Sequence, residues 1–390
     1  MFDINHIQRF FRDENLDGWL LADFHGRNTV AVEFLDLPEH ITRRFAFFIP
    51  SEGAPTAFIH NIEKDRFRHL PGNKIFFSSY KALEEALQTA LRGRRRIAME
   101  YSPSGRLPYI GLVDAGTIEL VKSFGIEVIS SADLIAHFQA RMTEKQVESH
   151  RNAARMINGI KDEAFRFIHE KLKTETVINE KTVVDFILGR FHEQGLITDF
   201  APIVAGNANI SNPHYSPPEH GSSPINKNDL FIIDLWAKVN EPHAVFADIT
   251  WAGYAGETAP DRFQKIFEIV RKARDRAVAF ISERAPRETV YGYQVDDACR
   301  QVITDAGYGE YFFHRTGHSI LESVHGPGPN IDNLETEDRR KLLPGHLFSI
   351  EPGIYLPEFG VRSEINVMIT ESGPEITTQP VQQHIIPLFG

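Results

Sequence analysis

The stretch DLFIIDLWAKV (Asp229–Val239) has the pattern of a core β-strand, yet it carries a carboxylate at Asp234. Strands with one buried face alternate apolar and polar residues, and a buried acid is costly unless it is paired or metal-bound. Three further strand-like segments carry such an acid: Asp248 in VFADITW, Glu351 in LFSIEPG and Glu364 in GVRSEINVMI. These acids indicate both the fold and the chemistry.

Taken together, the four acids predict a metal centre. A single buried acid is more often paired with Arg or Lys than bound to a metal. Four acids, one on each strand of two predicted hairpins, would repel each other and take up protons if they met without a cation. Carboxylates with at most one imidazole suit Mn²⁺, Co²⁺, Fe²⁺ or Zn²⁺. Two metals that share bridging carboxylates form a hydrolytic site, although these residues alone do not identify the bond that is cut.

Helices and hairpins alternate twice around these strands, which predicts an α+β domain with a pseudo-symmetric, mostly antiparallel sheet. The N-terminal region instead shows six short apolar runs and a helical pattern at Ser79–Gly93, typical of an α/β domain. Between the two regions, Thr143 and Gln146 form a capping-box pattern at the start of a long helix. We therefore predict two domains, 1–141 and 142–390.

Composition excludes several classes of protein. The formal net charge of −11 disfavours a nucleic-acid partner, and the one basic run, RGRRR, reads as a turn into a strand. Neither nucleotide-binding glycine motif is present. We expect no signal peptide and no membrane segment, because no apolar run reaches about 18 residues. The single cysteine, Cys299, suits a reducing cytoplasm and reads as a buried helix residue.

The stretch HRTGHSILESVHGPGPN (His314–Asn330) contains three histidines. His314 and His318 stand four residues apart, but no glutamate follows His314 as an H-E-x-x-H motif requires. Alone, the stretch is compatible with a metal site, a proton relay or ordinary loop histidines.

These motifs, taken in order, resemble the pita-bread (M24-type) metallopeptidases. The resemblance rests on an Asp on one strand, DIT on the next, TGH-x(6)-H, EPGIY and GVR-x-E, which span about residues 200–370. That family includes Xaa-Pro aminopeptidases, prolidases and methionine aminopeptidases. The α/β region resembles the creatinase-like N-terminal domain of the proline-specific branch. The resemblance implies two divalent metal ions bound by Asp234, Asp248, His318, Glu351 and Glu364.

The resemblance also implies individual roles. Asp248 and Glu364 would bridge the two metals, and Glu351 would act as general base. Among the histidines, His214 would contact the scissile amide and His325 the substrate carbonyl.

Two further residues would serve the substrate. His314 would line the pocket for the proline side or the substrate carboxylate. Arg362 is a candidate anchor, although a salt bridge explains it equally well. His220 and His243 match no family site and read as loop residues.

Several positions depart from the family pattern while sparing the ligands. Trp236 replaces a usual glycine, and the two aspartates are fourteen residues apart, about three more than usual. The other departures are Trp251, Arg315, Ser319, Leu321 and Gly326. We expect all of them to lie where the substrate would bind.

These observations predict a cytoplasmic dinuclear metallopeptidase that hydrolyses the N-terminal bond, an Xaa-Pro bond, of short peptides or dipeptides. By family analogy the chain would form a homodimer. Two alternatives stay open at this point: a hydrolase of the same fold acting on a non-peptide amide or amidine, and a non-catalytic binding module.

Overall fold

The computed structural model describes residues 3–38 and 40–390. The chain divides into two compact units, which meet between Ile135 and Ala136. The domain boundary predicted at 141/142 lies six residues further along the chain and stays a prediction. Each unit matches its predicted class, α/β for the first and α+β for the second.

The first unit is built on a six-stranded mixed sheet with the order β4-β3-β2-β1-β5-β6. All six predicted strands are confirmed, and so is the helix after Ser79. The central strands β1 and β2 are buried along their whole length, as their continuous apolar sequences indicate. The elements are α1 (Ile4–Asp13), β1 (Gly18–Asp23), α2 (Thr29–Phe34), β2 (Phe45–Pro50), β3 (Thr56–His60), β4 (Asn73–Phe77), α3 (Tyr80–Ala90), β5 (Arg96–Met99), α4 (Ala115–Ser123) and β6 (Glu127–Ser130).

The remaining elements alternate helices with antiparallel strands, as predicted. In the second unit the described strands pair antiparallel except for β10 with β16. The helix α5 (Ala132–Gln139) contains the boundary between the units. The elements that follow it are α6 (Glu144–Lys173), α7 (Glu180–Glu193), β7 (Leu196–Ile197), β8 (Ile203–Gly206), β9 (Leu230–Val239), β10 (Ala247–Tyr254), α8 (Asp261–Arg284), α9 (Gly292–Asp305), β11 (Leu347–Ile350), β12 (Gly353–Tyr355), β13 (Gly360–Arg362), β14 (Ile365–Thr370), β15 (Gly373–Ile376) and β16 (Ile386–Pro387).

The long helix α6 starts as its sequence predicts. The Gln146 backbone N–H donates to Thr143 Oγ1 (3.3 Å), and the Thr143 N–H donates to Gln146 Oε1 (3.0 Å). This reciprocal pair satisfies two backbone donors that would otherwise have no partner at the helix start. Within α9, Cys299 is buried, as predicted.

The second predicted hairpin is interrupted where its acids lie. β11 ends at Ile350, just before Glu351 and Pro352, and Glu364 falls in the gap between β13 and β14. Proline has no N–H to donate to a strand ladder, which ends pairing at this point. The Glu364 N–H instead donates to the Thr250 carbonyl of β10 (3.2 Å), which joins the two hairpins beside the acids.

Within the described residues, no helix is both long and apolar enough to cross a membrane.

Candidate metal centre

All five residues predicted to bind metal line one cavity of about 550 Å³ in the second unit. Two of them come from the paired strands β9 and β10, in which Thr250 lies opposite Asp234 and Asp248 opposite Trp236. Alternation along the strands places Asp234 and Asp248 on the same face of the sheet. The fold thus brings together acids that are far apart in sequence.

The centre of this group is formed by Asp248, His318 and Glu364, which offer ligand atoms within 4.8 Å of one another. Two buried oxygens, Asp248 Oδ1 and Glu364 Oε1, have no hydrogen-bond partner in the described structure. Burial raises the pKa of Asp248 to about 7 and raises that of Glu364 above its usual range, and neighbouring acids add to both shifts. Orphaned buried carboxylate oxygens beside an imidazole fit a divalent cation.

The orientation of His318 suits a metal ligand. Its Nδ1 lies 3.2 Å from the Ser319 carbonyl, which can only accept, so Nδ1 carries a proton. Its Nε2 faces Asp248 Oδ2 at 3.6 Å and Glu351 Oε1 at 3.4 Å. Burial opposes a charge on this ring, but the adjacent carboxylates prevail and raise the pKa of His318. A hydrogen bond from the remote nitrogen to a carbonyl commonly orients a metal-binding histidine.

Asp234 has a different partner, because Arg362 Nη2 donates directly to Asp234 Oδ2. The same guanidinium donates through Nε to Thr250 Oγ1 (3.1 Å), and this hydroxyl donates to Glu364 Oε2 (2.8 Å). Burial still raises the pKa of Asp234, against the charge of Arg362. Arg362 therefore connects two of the candidate ligands, with Thr250 between them. Sequence reasoning quoted Thr250 only as part of the DIT motif and assigned it no role.

Glu351 behaves differently from the other acids. Burial alone would raise its pKa, but the positive charges of His318 and Arg362 outweigh burial and lower it. The Ser349 hydroxyl donates to Glu351 Oε1 (3.1 Å). Glu351 is therefore held in its ionised, proton-accepting form. No pattern in the sequence pointed to Ser349.

His314 lines the cavity with both ring nitrogens engaged. Nδ1 lies 2.6 Å from the Arg315 carbonyl and must donate to it, so Nε2 accepts from the Tyr355 hydroxyl at 2.7 Å. Tyr355 in turn accepts from Arg362 Nη1 (3.2 Å). Burial lowers the pKa of His314 to about 4, which keeps the ring neutral. Tyr355, the last residue of the EPGIY motif, is a contact that sequence reasoning missed.

The other two histidines with predicted roles also line the cavity. His325 packs edge-on against His318, with ring centroids 4.4 Å apart. His214 is exposed at the cavity wall, and its backbone N–H donates to Asn212 Oδ1 (3.1 Å). His220 and His243 lie in loops and do not line this cavity, as predicted.

The departures from the family pattern separate into two groups. Trp236 and Arg315 line the cavity, whereas Trp251, Ser319, Leu321 and Gly326 do not. The expectation that all of them would lie at the substrate was therefore wrong. Strand alternation turns Trp251 to the opposite face of the sheet from Asp248, where Lys161 Nζ lies 3.5 Å from its ring centroid.

Clustered acids with a histidine, carried by the β9–β10 pair and by the interrupted second hairpin, define a metallopeptidase of pita-bread fold. The chain belongs to metallopeptidase family M24, whose family model matches residues 148–371.

Comparisons with individual proteins agree with this assignment. An Xaa-Pro dipeptidase from Lactobacillus delbrueckii subsp. lactis is 35% identical over 245 residues, which cover 62% of this chain and 61% of the relative, less than two thirds of its length. Among solved structures, the dipeptidase PepE of Mycobacterium ulcerans superposes with a TM-score of 0.71 at 21% identity, covering 98% of this chain and 97% of that one. A dipeptidase from Pyrococcus horikoshii OT3 is 26% identical with a TM-score of 0.63, covering 99% and 100%. These likenesses confirm the predicted fold class.

Proposed function

We propose that this protein is a dinuclear metal-dependent exopeptidase that hydrolyses the N-terminal peptide bond of Xaa-Pro dipeptides and short peptides. The observation that carries the proposal is the pair of orphaned carboxylate oxygens on Asp248 and Glu364 beside His318, inside a cavity of about 550 Å³. That volume is ordinary for a small-molecule site. The names of the Lactobacillus and Pyrococcus relatives support a dipeptide substrate.

The metals would be held by a set of five residues: Asp234, Asp248, His318, Glu351 and Glu364. Hard oxygens with one imidazole suit Mn²⁺, Co²⁺, Zn²⁺ or Fe²⁺, and we propose two ions of this group, with manganese a leading candidate. When bound, such ions polarise a carbonyl and lower the pKa of water. Asp234 would exchange its contact with Arg362 for a metal, so that Arg362 keeps its bonds to Thr250 and Tyr355.

The remaining residues would move protons and hold the peptide. Glu351, whose pKa lies below its usual value, is ionised at neutral pH and can accept a proton from the attacking water. His325 would donate to the substrate carbonyl oxygen and His214 to the scissile amide nitrogen. His314, fixed by Tyr355, would line the proline side of the cavity. We place the enzyme in the cytoplasm as a homodimer, with neither nucleic acid nor membrane as a partner.

One experiment tests the proposal against its rivals. The purified protein is stripped with a chelator and reloaded with Mn²⁺, Co²⁺ or Zn²⁺. Cleavage of an Xaa-Pro dipeptide, a longer Xaa-Pro peptide and a Met-Ala peptide is followed by mass spectrometry. We expect metal-dependent cleavage of a proline substrate. Turnover of none of the three with metal bound would contradict the peptidase assignment, and failure to bind metal would overturn the site.

A further inference from the structure

The indole of Trp236 stands beside the candidate metal ligands. It lies two residues after Asp234 on β9 and directly opposite Asp248 on β10. Since side chains alternate along a strand, Trp236 projects to the same face as both aspartates. The ring lines the cavity and is therefore placed to contact whatever binds next to these acids.

A buried apolar cluster supports the indole. Trp236 and Val324, which both line the cavity, pack against a buried cluster that includes Phe246, Ile320 and Leu321. These three cluster residues are buried, so packed apolar side chains back the indole.

The two sides of the cavity differ in chemistry. Trp236 forms one cross-strand pair with Asp248, and Asp234 forms the next pair with Thr250. The hydrogen-bonded group of His314, Tyr355 and Arg362 joins this second pair, because Arg362 donates to both Asp234 and Thr250. A peptide whose reacting carbonyl lies at the acids must place its first residue on one side and its second on the other. If His314 lines the proline side, as in the proposed function, the first residue faces Trp236.

We propose that Trp236 is a specificity-determining residue that closes the subsite for the N-terminal side chain. Resting on the proposed function, this inference specifies the substrate class as Xaa-Pro peptides whose first residue is small, such as Gly, Ala or Ser. Larger side chains at that position would collide with the indole, which is backed by packed side chains.

Two substitutions of Trp236 test this proposal, and the indole N–H is the reason for one of them. This indole nitrogen is buried without a hydrogen-bond partner in the described structure. Trp236→Phe keeps an aromatic wall and removes an unsatisfied donor, so it should fold at least as well as the wild type. Trp236→Ala removes the wall itself. Trp251→Phe is the matched control, because Trp251 lies on the opposite face of the same sheet.

The test compares kcat/KM of the metal-loaded proteins for Gly-Pro, Ala-Pro, Leu-Pro and Phe-Pro. We expect the wild type, Trp236→Phe and Trp251→Phe to prefer Gly-Pro and Ala-Pro. Trp236→Ala should raise kcat/KM for Leu-Pro relative to Ala-Pro by about tenfold to a hundredfold, an effect within the range for a single methylene group in an apolar pocket. An unchanged preference in a folded, metal-loaded Trp236→Ala protein overturns the proposal.

A binding measurement separates this proposal from the proposed function. Calorimetric titration of the metal-loaded proteins with free L-alanine and L-leucine requires no peptide cleavage. If the wild type binds alanine more tightly than leucine and Trp236→Ala loses this preference, the result supports Trp236 as the residue that closes the subsite, even if no Xaa-Pro peptide is cleaved. Equal affinity of the wild type for alanine and leucine contradicts this role of Trp236, even if Xaa-Pro peptides are cleaved.

Discussion

Replacing Asp248 by Asn should stabilise the metal-free protein and abolish its stabilisation by metal. Burial raises the pKa of Asp248 from 3.8 to about 7, so the folded chain favours the protonated acid. A carboxyl whose folded pKa is raised contributes stability at low pH, and this contribution is lost as the pH rises towards 7. Full ionisation of such a group costs about 4 kcal/mol.

The expected gain is smaller than this cost because Asp248 also faces His318 Nε2 at 3.6 Å. Asp248→Asn removes the carboxylate that faces His318. At pH 8 we therefore expect the free energy of unfolding of the stripped variant to exceed that of the stripped wild type by about 2 kcal/mol. At pH 5, where Asp248 is protonated in the folded wild type, the difference in free energy of unfolding between the two proteins should be smaller. Bound metal should make the wild type the more stable of the two proteins. At a metal concentration one hundred times its Kd, the wild type gains about 3 kcal/mol in free energy of unfolding, whereas the variant gains little.

Differential scanning calorimetry of chelator-stripped proteins, at pH 5 and pH 8 with and without Mn²⁺, measures these effects. It also distinguishes a transition that responds to metal from one that does not. Asp185→Asn is the matched control, because Asp185 is an exposed acid paired with Lys181 on α7. The reasoning is refuted if stripped Asp248→Asn is less stable than the stripped wild type at pH 8, or if Mn²⁺ stabilises both equally.

Three further outcomes are expected. Glu364→Ala should lose activity and bound metal, as measured by elemental analysis, and full activity would contradict its bridging role. Tyr355→Phe, which leaves His314 Nε2 without its donor, should lower kcat/KM about tenfold with unchanged metal content; a loss of metal would show that the tyrosine supports the ligands instead. Burial lowers the pKa of His150 to about 4, so stability should fall by up to about 3 kcal/mol as the pH drops from 6.5 to 4. In His150→Gln, the free energy of unfolding measured with urea should fall less between pH 6.5 and pH 4 than in the wild type. A fall identical to that of the wild type would exclude His150 as its cause.

Much of the architecture was predictable because local sequence encodes it. The six strands of the first unit appear as short apolar runs, and Thr143 with Gln146 specifies the start of α6. The interrupted second hairpin was not recognised in advance, although Pro352 offered a signal. The Glu364 backbone bond to Thr250 had no sequence signal, since it joins segments over a hundred residues apart.

The site divides in the same way. The sequence by itself determined which residue types were available: acids within apolar strands, three histidines in one loop, and an order of motifs that resembles a known family. Only the tertiary structure decided which side chains meet. It paired Asp234 with Arg362, engaged both nitrogens of His314, and placed Trp236 against the cavity while turning Trp251 away. The physical reason is that burial and pairing depend on distances between strands and loops, which chain order does not encode.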